Sequence, residues 1–358
     1  CLFIERAFDL LSPSGVLGYI IPNTLLIMKS YEPLRRYLLE KGWLKSIVDL
    51  SLKVFPEVEV PTCVLVVERK DPRALPFPRQ VKAGFWESAR AEVPSNLENA
   101  NQDDFEKYPY AMFNIHIRSA DKDILTAIER AGKPLGERFE VRDGINPANM
   151  GEKLVVKATE ELDHPFKRVL RGKDISHYQL TWDNMWVRYD PGFADKSNGE
   201  YCFLREERIF TEVPKILTRQ TADHIVAAYD ENGYYALNTL HVTLPLNGDF
   251  DLESLLGLYN SRLLNYYYRL VFPDTERVFP QVKTVNLEKL PLPETNGRKD
   301  KLRELVLKAL DPSISPIQKS KVFHEIDDLV YELYDLNPKQ IARIESSPYT
   351  FSMKSNRR

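Results

Sequence analysis

The first seventy residues constrain the fold most tightly, because their apolar pattern switches between helical and extended periods. "LFIERAFDLL" places Leu2, Phe3, Ala7, Leu10 and Leu11 at helical spacing and stops at Ser12-Pro13-Ser14-Gly15, a helix-ending loop. "GVLGYIIP" follows as a nearly continuous apolar run, which predicts a buried parallel strand. "SYEPLRRYLLEKG" predicts a second helix with Gly42 as its C-cap. "LKSIVDL" and "TCVLVVERK" predict two more strands, joined as a hairpin across "FPEVEVP". Helix, strand, helix, strand, strand is the distal half of a doubly wound, Rossmann-like α/β sheet, and residues 1–70 form that piece.

Residues 71–135 turn polar and proline-rich ("DPRALPFPRQ") and then run into "ADKDILTAIERAG", which predicts a connector with short strands and a helix ending at Gly132. Residues 136–295 alternate in period two between Gly, Asn and Asp turns, the pattern of an irregular α+β domain. Within it "DLESLLGLYNSRLLNYYYRLVF" reads as one amphipathic helix. Residues 296–358 form a helical tail whose last helix starts at Asn337-Pro338.

Composition narrows the function classes. Of 358 residues, 43% are hydrophobic and 28% charged, as in ordinary soluble domains. The longest apolar stretch is too short to span a bilayer. Three scattered cysteines, Cys1, Cys63 and Cys202, suit a reducing, cytoplasmic compartment rather than a disulfide framework. The six histidines show no metal-ligand spacing. A net charge of −3 does not advertise a nucleic-acid partner, but what matters there is a local basic face rather than the total. Cys1 is not an initiator methionine, and the chain is read as a segment of a longer protein.

The order of motifs resembles the C-terminal part of the TaqI-like N6-adenine DNA methyltransferases and the fused type II restriction-modification enzymes. "FIERAFDLLSPSGVLGYIIPN" resembles the helix and strand after that family's catalytic loop, and "VFPEVEVPTCVLVVERK" its motif VIII corner. "PLGERFEVRDGINP", "RVLRGKDISHY", "KILTRQTADHIVAAYDENGYYALNTLHVTLP" and "ERVFPQVKTVNLEKLPLP" resemble its target-recognition domain, and "IDDLVYELYDLNPKQIARIE" the closing helices of the fused enzymes. The resemblance implies methyl transfer from S-adenosylmethionine to adenine N6 in a specific sequence of double-stranded DNA, with a flipped base and no metal. The family's Asn/Asp-Pro-Pro-Tyr/Phe loop and its Gly-x-Gly cofactor loop are both absent from this chain. The chain alone is therefore expected to be inactive, its partners being the N-terminal methyltransferase half and, in fused relatives, a nuclease domain.

Several residues follow from the resemblance. Phe55 would stack on the flipped adenine, although an aromatic at a strand corner also simply packs beneath it. Arg171 and Lys173, beside the glycine turn at Gly172, would contact phosphates. Thr218, Arg219 and Gln220, at the end of a predicted strand, are types suited to major-groove readout. Arg277, Gln281 and Lys283 flank Phe279-Pro280 in a stretch that approaches DNA in the family. Each is also an ordinary surface residue type. Tyr266, Tyr267 and Tyr268 point in different directions on a helix and are expected in the core. Two other readings stand beside this one: a specificity module that binds DNA for a separate catalytic chain, and an interaction protein whose helical tail mediates assembly.

Overall fold

The computed structural model describes residues 2–50, 60–73, 80–86, 95–246, 251–273, 280–294 and 297–347. Phe55, Arg277 and Phe279 lie outside them. The chain divides into two compact units, residues 1–123 and 124–358.

The first unit is built on a five-stranded sheet. Its strand order is Val16–Pro22, Thr62–Arg69, Gly42–Leu50, Gln80–Trp86 and Ser95–Asn101. Gly42–Leu50 and Thr62–Arg69, the two strands expected to pair as a hairpin across "FPEVEVP", do pair antiparallel. Gln80–Trp86 runs parallel to Gly42–Leu50, so the stretch read as a connector extends this sheet. Its alternating Val81 and Ala83 are buried despite the polar, proline-rich surroundings that masked the pattern.

Val16–Pro22 departs from expectation. It pairs antiparallel with Thr62–Arg69 and with no other strand among the described residues. Its residues alternate between exposed and half-buried, with Val16 56% and Ile20 50% exposed. A continuous apolar run is shared by buried strands and by apolar edge strands, so composition alone does not separate them. Gly42 follows the Glu32–Lys41 helix as expected but is extended rather than left-handed. A side chain there would meet Val67 Cγ1 at 2.5 Å and the Leu38 carbonyl at 2.9 Å, so close approach, not helix capping, requires the glycine.

The second unit holds two four-stranded sheets. One is wholly antiparallel, in the order Ala227–Asp230, Lys215–Arg219, Leu240–Pro245, Phe139–Asp143. The other runs Tyr235–Ala236, Phe166–Leu170, Met185–Arg188, Val155–Lys157. One core spans both, including Val169, Leu170, Val187, Leu217, Leu240 and Val242.

The expected single helix over 251–272 is two, Leu252–Asn260 and Arg262–Val271. Ser261 stops the first and caps the second, its Oγ accepting the Leu264 N–H at 3.2 Å while its own hydroxyl donates to the Leu258 carbonyl at 2.7 Å. A serine followed by an apolar helical run is an N-cap signal. The last helix begins at Pro338 with Asn337 as its cap, as expected. Among the described residues no helix is long and apolar enough to cross a membrane, and no cluster of side chains could hold a metal ion.

Candidate functional site

Three segments far apart in sequence meet at the turn that precedes the Leu240–Pro245 strand. Thr239 Oγ1 accepts the Gly172 N–H at 2.9 Å, and the Thr239 carbonyl accepts the Gln220 N–H at 2.9 Å. The Gln220 carbonyl in turn accepts the Val282 N–H at 2.8 Å, and Thr221 forms an antiparallel bridge with Gln281. Residues 171–173, 219–221 and 281–283 therefore share one edge of the second unit, with their backbone groups satisfied by one another. The neighbouring turn is held as closely. Gly144 donates its N–H to the Leu240 carbonyl at 3.1 Å, and a side chain at Gly144 would lie 2.3 Å from the Leu237 carbonyl.

The loop that carries this edge, between the Lys215–Arg219 and Ala227–Asp230 strands, is anchored from below by two fully buried asparagines. Asn260 Oδ1 accepts the Ala227 N–H at 3.0 Å while its Nδ2 donates to the Ala227 carbonyl at 3.0 Å. Asn265 Oδ1 accepts the Ile225 N–H at 2.6 Å. His177 Nδ1 lies 2.9 Å from Asn260 Oδ1, a contact in which the ring must donate, because an amide oxygen only accepts. Burial pushes the His177 imidazole down to about 4, so it is neutral with the proton on Nδ1.

The expected contact residues separate into distinct classes. Thr218 does not hold as a base contact. It sits in a strand flanked on both sides, its side chain is fully buried, and it cannot reach a groove. Arg171 is held by carboxylates: its guanidinium reaches Asp174 at 2.9 and 3.0 Å and Asp183 at 2.9 Å. Those hydrogen bonds raise its pKa above the ordinary arginine value. Gly172, expected as a flexible turn, is buried in a short helical turn spanning Gly172–Asp174. Lys173 and Lys283 are exposed and have no carboxylate partner among the described residues. The Lys283 backbone is fixed by the Tyr268 hydroxyl, which accepts its N–H at 3.1 Å. Tyr266, Tyr267 and Tyr268 are all buried, as expected. Gln220 and Gln281 are half-buried on the shared edge.

Arg219 combines partial burial with an unmatched donor. It is only partly exposed, its Nε is out of contact with solvent, and that atom has no hydrogen-bond partner among the described residues. Several other arginines of the unit reach a carboxylate: Arg168 Glu161 at 2.9 Å, Arg269 Asp223 at 3.4 Å, and Arg188, whose Nε also lacks a partner, Asp190 at 3.2 Å through Nη2. A buried Nε–H without an acceptor is costly unless a ligand supplies one.

Sequence reasoning missed Thr239, Asn260, Asn265 and His241. The asparagines break an apolar helical run, a signal of a buried polar role. Thr239 carries no local signal, because its importance lies in what approaches it. His241 is 1% exposed, opposite Asp143 and Thr218 in the sheet register. Its Nε2 lies 2.9 Å from the Val282 carbonyl.

In the first unit, Ala83, Phe85, Glu98, Asn99 and Arg118 line a cavity of about 10 Å³, enough for one water. The chain has no Gly-x-Gly turn.

Comparison with known proteins places these observations. Residues 167–292 match the family model of the TaqI-like C-terminal specificity domain, and residues 1–55 that of the Eco57I restriction-modification methylase. RM.MjaORFECS2P of Methanocaldococcus jannaschii, whose name assigns it to the type II restriction enzymes and methyltransferases, is 26% identical over 94% of this chain and 29% of its own length. The type II methyltransferase M.TthHB8I of Thermus thermophilus is 24% identical over 81% of this chain and 60% of its own. The chain thus spans less than two thirds of either relative. In fold it is similar to the type IIL restriction-modification enzyme MmeI, solved in complex with DNA, with a TM-score of 0.59 and 15% identity over 96% of this chain and 50% of that one.

Proposed function

We infer that this chain, a restriction-modification methyltransferase segment joined to a TaqI-like specificity domain, reads duplex DNA through the edge gathered at Thr239. The observation that carries the reading is Arg219, whose buried Nε lacks an acceptor among the described residues, on the same edge as Gln220. Arginine bridges guanine O6 and N7, and glutamine bridges adenine N6 and N7. Lys173 and Lys283 supply exposed charge for phosphates, which position a protein on the duplex without reading sequence. Arg171, held between two carboxylates, organises its own turn instead. Arg277, which lies outside the described residues, keeps the DNA-contact role that the resemblance implies.

For the intact enzyme the reading extends to methylation of adenine N6, with S-adenosylmethionine as methyl donor bound outside the described residues. The first-unit sheet is then the distal part of a Rossmann-like methyltransferase sheet. The apolar edge of Val16–Pro22 is where the remaining strands of such a sheet would pair. Phe55 is proposed to stack on the flipped base; a Phe55→Ala enzyme should lose fluorescence from a 2-aminopurine target more than it loses DNA affinity.

Binding of this chain to its cognate duplex and to random duplex, measured against salt, tests the reading. Affinity should fall steeply as salt rises. Lys173→Ala should weaken all sequences alike and lower the salt slope by about one. Arg219→Ala should cost about 1–3 kcal/mol on the cognate site only. Absence of binding at low salt, or equal effects of the two substitutions on both duplexes, would overturn it.

A further inference from the structure

We propose that His241 is a positioning residue for this recognition edge: buried in the antiparallel sheet and bonded through Nε2 to the Val282 carbonyl, it fixes the backbone that carries Gln281 and Lys283. The proposal rests on the reading that the 281–283 segment faces DNA.

Each ring nitrogen meets a group of the protein. The ring is 1% exposed, so water cannot satisfy it. Nε2 is 2.9 Å from the Val282 carbonyl, which only accepts, so Nε2 carries a hydrogen. Nδ1 is 2.9 Å from Asp143 Oδ1, off the line of a hydrogen bond. His241 first, then Arg205, whose Nη2 is 4.0 Å from Asp143 Oδ2, hold the Asp143 carboxyl below the ordinary aspartate value.

The groups packed around the ring come from three directions. Asp143, with Arg205 beyond it, approaches from the Phe139–Asp143 strand. The Lys215–Arg219 strand presents Thr218, fully buried and uncharged. The third is the Val282 carbonyl, with exposed Lys283 next in sequence. Val282 is also tied to Gln220 through its N–H. His241 therefore links the interior of the antiparallel sheet to the strip on which two of the reading residues lie.

The test uses the full chain and two independent readouts: amide hydrogen exchange of residues 280–287 without DNA, and affinity for the cognate duplex. His241→Phe should speed exchange at 280–287 and weaken binding about tenfold, the equivalent of one lost base contact. His241→Gln keeps an N–H donor near the Nε2 position; it should retain slow exchange at 280–287 and restore most of the affinity. Unchanged exchange in His241→Phe would sink the clamp whatever the DNA result. Faster exchange with unchanged affinity would overturn the positioning role, and failure of the wild-type chain to bind DNA would instead strike the functional reading beneath it.

Discussion

Arg35 shows how much of this molecule rests on single side chains. It is fully buried and donates to the carbonyls of Leu25 at 2.7 Å, Tyr110 at 2.9 Å and Ala111 at 3.1 Å. Tyr110 and Ala111 have φ of 57° and 51°, a left-handed region that costs non-glycine residues free energy. The guanidinium fixes both carbonyls of that turn. Arg35→Met would take the donor from two buried acceptors and one partly buried one, and urea unfolding should show a loss of roughly 3 kcal/mol. Arg35→Lys should recover only part of it, since an ammonium is a point donor rather than a fork; an unchanged midpoint in Arg35→Met would refute this. Residues of this kind also mark where sequence reading stops. The segments around 171, 218 and 281 are legible from residue type. That Thr218 faces inward, or that Arg171 is claimed by Asp174 and Asp183, depends on partners that no local pattern names.

At the scale of elements, the joint between Leu252–Asn260 and Arg262–Val271 decides where the recognition loop stands. Read as one amphipathic helix, this stretch has no reason to contain Asn260 and Asn265. Broken at Ser261, it aims both amides at the loop's returning strand. Asn265→Ala would orphan the Ile225 N–H and should cost about 1–3 kcal/mol, with faster amide exchange over 220–226 before any global unfolding. Exchange that rises uniformly across the second unit would argue against a local anchor. The same logic applies to the first strand. Val16–Pro22 has the composition of a buried parallel strand and the pairing of an antiparallel edge, because composition reports apolarity and only long-range pairing reports neighbours. The helices with explicit start signals, such as Asn337-Pro338, were legible because capping is local.

Across the second unit as a whole, Arg262 gathers the tail. Its backbone N–H donates to Asp327 Oδ1 at 2.8 Å, and its guanidinium reaches Asp327 at 3.3 Å and Glu345 at 3.3 Å. Both closing helices thus meet at the start of Arg262–Val271. Burial pushes the Asp327 carboxyl up to about 7 against the opposing pull of Arg262. The folded chain therefore holds a proton that the unfolded chain releases near pH 4. Stability from this group is full below about pH 4, falls as pH rises, and levels off above about pH 7, a change on the order of a few kcal/mol. Asp327→Asn should flatten Tm against pH across that window; an unaltered slope would show that another group carries it. The turn at Thr239 has a different consequence. The bonds that join residue 220 to 239 and to 282 are backbone to backbone and take no notice of the side chains at 220 or 281. The frame can stay constant while its lettering is rewritten, so a lineage could acquire new target sequences by substitution alone, with no refolding between one specificity and the next.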